Sequence, residues 1–117
     1  CPKCETDPAT HTAVKKAPRV VLKEINAQMV SMLRDGVKHG AAQRAAVDLK
    51  RTNLAGIAGA TTERKDAWFI GFAGDMLCVA WIGFDAQERS LGPREYGSTA
   101  ALMMWAYFMA HATRHLF

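Results

Sequence analysis

The sequence has no apolar run of the about 20 residues that a membrane-spanning helix requires. Its most apolar stretch, Ala100–Ala110, is too short. No segment reads as a signal peptide. A block of like charge is also missing. Fifteen Lys and Arg against eleven Asp and Glu leave a net charge of +4 and a pI near 9.2. The cations are dispersed, in Lys15-Lys16, Arg19, Arg44, Lys50-Arg51 and Arg64-Lys65. A nucleic-acid partner calls for a clustered basic face with interleaved aromatics. Neither is visible, so no nucleic-acid role is expected, and the charge reads as solvated surface with mild attraction to anionic polymers.

Cysteine is scarce, with three in 117 residues. Cys1 and Cys4 form a Cys-x-x-Cys unit, which is half of a zinc site or a redox pair. No second Cys or His pair lies at a suitable distance, and His11 is the nearest candidate ligand, so this end reads as a linker. Cys78 lies in an apolar run and reads as a small core residue. His111 and His115 stand one helical turn apart, a spacing that can bind a metal. With no carboxylate or Cys beside them, they read as cations at a helix C-terminus. No metal and no cofactor is expected. The chain opens on Cys1 without an initiator Met, which is expected of a processed or excised piece of something longer.

Three of the four prolines fall in residues 1–18, which read as a flexible linker, with the folded part at 19–117. Arg19–Leu22 suggests a short extended segment. Ile25, Met29, Met32, Leu33 and Val37 recur at helical spacing, so Asn26 to His39 is expected to be an amphipathic helix with its methionines in the core and Gly40 as its stop. Ala41–Leu49 is ambiguous, being alanine-rich but uncapped. Ala67–Phe72 and Met76–Phe84 are apolar runs around Ala73-Gly74-Asp75 and predict a β-hairpin. Asn53–Thr62 is expected beside it as a third strand, in which Gly56 and Gly59 permit close approach of backbone or ligand. Asp85–Gly97 is a loop. Thr99 is a candidate cap for a final helix burying Leu102, Trp105, Phe108, Met109 and Ala112. The pattern is α+β, with an antiparallel sheet of about three strands packed against N- and C-terminal helices.

The segments "AAVDLKRTNLAGIAGATTERKDAWFIGFAGDMLCVAWIGFD" and "SLGPREYGSTAALMMWAYFM" resemble the C-terminal part of the transpeptidase domain of class A penicillin-binding proteins, the bifunctional peptidoglycan synthases. "APRVVLKEINAQMVSMLRDGVKHG" resembles the segment just before it. The likeness runs over about residues 17–112. It implies part of a penicillin-binding or β-lactamase-like fold, an extracytoplasmic or periplasmic location, and serine-type D,D-transpeptidase chemistry. In that chemistry a serine attacks a D-Ala-D-Ala peptide bond, and a lysine in Ser-x-x-Lys is its base. A Ser-x-Asn unit assists proton movement. A third motif, Lys-Thr-Gly-Thr-Thr, binds the substrate carboxylate and contributes an oxyanion-hole N–H.

Lys65-Asp66-Ala67-Trp68-Phe69 matches the family's continuation of that strand outright. Counting back, the family's lysine falls on Ile57 and its hydroxyl residues on Ala58 and Ala60, while Gly59 and Thr61 are kept. Ile57, Ala58, Gly59, Ala60 and Thr61 are therefore the resemblance-implied substrate-binding strand in degenerate form. Losing an ammonium and two hydroxyls there removes charge-assisted hydrogen bonds typically worth about 1.5–3 kcal/mol each. The only serines are Ser31, Ser90 and Ser98, and none opens a Ser-x-x-Lys or Ser-x-Asn unit. No catalytic residue is assigned.

The resemblance places only the last three of the family's five strands in this chain. It therefore implies an unpaired sheet edge that would engage a second copy, an envelope partner or peptidoglycan, or else a rearranged packing. A repurposed site would have to be built from His39, Glu63, Asp66, Asp75, His111 and His115.

Overall fold

The structure, a computed structural model, describes residues 18–86 and 88–113. Cys1, Cys4, His11, His115 and nearly all of the expected linker lie outside the described residues. Helix α1 spans Lys23–Lys38, α2 spans Gln43–Leu49, and strands β1 (Leu54–Ala60), β2 (Asp66–Ala73) and β3 (Met76–Gly83) follow. A wide π-helical turn at Gly97–Ala101 leads into α3 (Leu102–Ala112). The three strands form one antiparallel sheet in the order β1-β2-β3. The α+β expectation, the three strands and the hairpin all hold.

The hairpin turns on Gly74 and Asp75, between the paired residues Ala73 and Met76. Gly74 has φ 59°, a conformation that only glycine adopts at no steric cost. Strand alternation then sorts the sheet into two unlike faces. On one, Leu54, Ala67, Phe69, Ala73 and Ala80 are buried beneath α3 with Leu102, Trp105 and Met109. Trp105 is the keystone of this layer. Its ring meets Phe69 edge-on at 5.0 Å, and its Nε1–H donates to the carbonyl oxygens of Gly71 and Cys78. The Gly71 backbone leaves the room for it, since a Cβ there would sit 2.7 Å from the indole. On the opposite face Ile57, Trp68, Ile70, Leu77, Val79 and Trp81 are exposed.

The first helix begins nearly a turn earlier than its periodicity suggested, because the Asn26 N–H already bonds to the Leu22 carbonyl. Arg19–Leu22 forms no strand. The methionines of α1 are not core residues: Met29 is 55% and Met32 72% exposed. Of the three strands α1 packs chiefly on β1, and only its second half, at Val30, Leu33, Gly36 and Val37, is covered. Gly40 ends the helix by close approach, as a Cβ there would lie 2.6 Å from the Gly36 carbonyl oxygen. The ambiguous alanine-rich stretch is helical. Phe108, expected inside, is half-exposed, because α3 turns Leu102, Trp105 and Met109 inward and leaves Phe108 outside that stripe. Thr99 does not open the final helix either. Tyr96 is the N-cap, and Thr99 sits one turn in, where its Oγ1 accepts the Tyr96 N–H at 2.8 Å and donates to the Arg94 carbonyl.

Candidate functional site

Strand β1 carries all of the resemblance-implied positions except Thr61, which follows it directly. Ile57 is 60% exposed, Ala58 is half-buried, and Gly59, Ala60 and Thr61 are exposed. The first turn of the final helix lies over this strand. Ala58, Gly59 and Ala60 share a shallow depression of about 190 Å³ with Tyr96, Gly97 and Ser98. This approach is very close: a Cβ on Gly97 would lie 2.2 Å from the Trp68 carbonyl oxygen and 2.4 Å from that of Gly59. Gly97 is thus the glycine that the site geometry demands, and sequence reading missed it. The signal available was a glycine directly ahead of a helix-forming run.

Thr61 keeps its hydroxyl but directs it to the turn. Its Oγ1 accepts the N–H groups of Lys65 and Asp66 at 2.9 and 3.0 Å. This clamps a tight connection in which Arg64 takes φ 54°. Nearby charge is engaged elsewhere. Lys65 pairs with Glu63, whose carboxyl is held below its ordinary value by the hydrogen bond from that ammonium and by its charge. The Arg64 guanidinium lies 5.8 Å from the Tyr96 ring centroid.

The matched run Lys65–Phe69 proves to be framework. Asp66 is buried and accepts a hydrogen bond from the Trp81 indole at 3.0 Å. Trp68 faces Trp81 across the strand pair at 6.0 Å, and Phe69 enters the core. These contacts hold β2 against β3 and thereby position β1.

The three serines are scattered over α1, the loop before α3 and the π-helical turn. Ser90 accepts the Gly92 N–H at 3.3 Å. Among the described residues no hydrogen bond joins a serine to a titratable side chain. The candidate titratable groups do not converge: His39 pairs with Asp35, Glu63 with Lys65, Asp66 with Trp81, and His111 Nδ1 contacts the Tyr107 carbonyl oxygen. Asp75 sits in the hairpin turn. Cys78 is partly buried, and burial pushes its thiol up. Among the described residues no group of three His, Cys, Asp or Glu side chains is arranged to hold a metal. No described helix is long and apolar enough to cross a membrane.

No family model matches the chain. Individual proteins do. Penicillin-binding protein 1A of Pseudomonas aeruginosa is 48% identical over 86 residues, which is 74% of this chain and 10% of that protein. Penicillin-binding protein 1A of Neisseria gonorrhoeae is 37% identical over 102 residues, 87% of this chain and 12% of that protein. The crystal structure of penicillin-binding protein 1A from Haemophilus influenzae superposes with a TM-score of 0.81 at 28% identity, over 91% of this chain and 17% of that one. The chain belongs to the class A penicillin-binding proteins, over a stretch that spans about a tenth of the length of the curated relatives it matches.

Proposed function

We propose that the chain is a transpeptidase-like framework, related to peptidoglycan cross-linking and not catalytic by itself: a pseudoenzyme at its third motif, acting in the extracytoplasmic envelope. The observation that carries this reading is the middle of β1. Ile57, Ala58 and Ala60 stand where the family chemistry needs an ammonium and two hydroxyls. The motif's glycine and following threonine are kept, as Gly59 and Thr61. Without a cation the strand has nothing to hold a substrate carboxylate, and without a serine–base pair no nucleophile is activated. Fluorescent penicillin tests it directly. No covalent label is expected on the 117-residue chain, and a labelled serine would overturn the reading.

A second reading is favoured by the far edge of the sheet. Among the described residues α1 packs against β1, while β3 has a strand on one side only. Leu77, Val79 and Trp81 are 65%, 51% and 41% exposed along it. Unpaired backbone beside apolar side chains favours strand addition. On this reading the chain is an interaction or regulatory module that pairs through β3 with another copy or an envelope protein. Light scattering on the purified chain and co-sedimentation with peptidoglycan sacculi test it. A strictly monomeric chain that captures no envelope protein or peptidoglycan would count against it.

A further inference from the structure

Two of the dispersed cations, Lys50 and Arg51, meet two further ones in space. Arg34 and Lys38 from α1 and Lys50 and Arg51 from the α2–β1 connection line one groove of about 220 Å³, over apolar ground that includes Val47 and Leu54. The acidic residues of these helices do not line it. Asp35 pairs with His39 and Asp48 with Arg44, each at 3.3 Å. Arg51 is bonded to the Thr113 hydroxyl. Among the described residues Arg34, Lys38 and Lys50 make no ion pair. The last two turns of α1 and the left-handed Lys50 after α2 bring these side chains to one rim.

We infer that this groove is a docking site for an acidic polypeptide segment carrying an apolar anchor residue between its carboxylates. Charge complementarity sets the sign of the partner, since a cationic rim whose described lining holds no Asp or Glu favours an anion and rejects a cation. The recessed floor sets its shape. Its volume suits one or two side chains, which a protruding peptide residue fills. A flat anionic surface would reach the cations and leave the floor empty. This site is separate from the β1 motif strand and from the β3 edge.

The test uses the whole 117-residue chain and a fluorescein-labelled peptide of alternating glutamate and leucine, read by anisotropy at several salt concentrations. Binding that weakens with salt is expected. The double variant Lys38→Glu/Lys50→Glu should bind about tenfold more weakly, and Lys38→Arg/Lys50→Arg should retain binding. Both positions are exposed, and circular dichroism confirms that each variant is folded. A lysine–leucine peptide should not bind. Equal binding of the acidic peptide by the wild type and the charge-reversed variant would overturn the inference. So would sedimentation of the wild type with phosphatidylglycerol vesicles in the absence of any peptide binding.

Discussion

The Trp81 indole donates a hydrogen bond to the buried Asp66 carboxylate, 3.0 Å away, across the β2–β3 pair. A run that matches catalytic-domain sequence therefore acts as a strand fastener. Asp66→Ala leaves the indole N–H short of its acceptor and should cost about 1–3 kcal/mol, read as a lower urea midpoint. Asp66→Asn keeps an oxygen acceptor and should lose less. In a double-mutant cycle with Trp81→Phe the two losses should be less than additive; full additivity would show that the bond contributes nothing.

The two glycines at the motif strand should respond in opposite ways. A Cβ on Gly97 meets main-chain oxygens that cannot move aside, so Gly97→Ala should displace the final helix or prevent folding. A Cβ on Gly59 meets nothing nearer than the Trp68 Cβ at 3.8 Å. Gly59→Ala should stay folded, with near-UV circular dichroism like that of the parent.

Restoring the family side chains should separate framework from chemistry. The triple variant Ile57→Lys/Ala58→Thr/Ala60→Thr changes one half-buried and two exposed positions. Its melting transition should stay close to the parent's, since exposed substitutions usually fall within about 0.5 kcal/mol. It should still take up no penicillin label, because no serine gains a base. Labelling of this variant would show that the scaffold holds a nucleophile after all.

Glu63 supplies a titration signature. Its carboxyl is depressed by Lys65, so the favourable pairing is complete above the ordinary carboxylate value of 4.5 and is lost as pH falls through the lower folded-state value. Carboxyl NMR should place the Glu63 midpoint below 4.5. In Lys65→Ala it should return to the ordinary value. Because the pair is solvated, high salt should shrink the difference.

Much of the fold was legible because its signals are local. Alternating apolar residues around Gly74-Asp75 specify a hairpin, and the spacing of Leu102, Trp105 and Met109 specifies an inward helical stripe. Ile57, Ala58 and Ala60 read as altered motif positions only through the family resemblance, since nothing in the local pattern marks them. The first-turn geometry of α3 was not legible, because Thr99 has the chemistry of a cap wherever it stands near a helix start. Only the packing of Gly97 on Gly59 makes Tyr96 the boundary. The methionines of α1 misled for a related reason: amphipathic spacing reports which face is apolar, not whether any element covers it.

The sequence by itself determined the three strands, the hairpin between β2 and β3 and the two longer helices, since these depend on residues close along the chain. Tertiary structure decided three other things: that Asp66 meets Trp81 and Thr61 clamps its turn, that among the described residues β3 has a strand on one side only, and that Arg34, Lys38, Lys50 and Arg51 line one groove. Each depends on which distant segments meet. That is set by the summed packing of Phe69, Trp105 and the glycines beneath them, and no short window of sequence contains it.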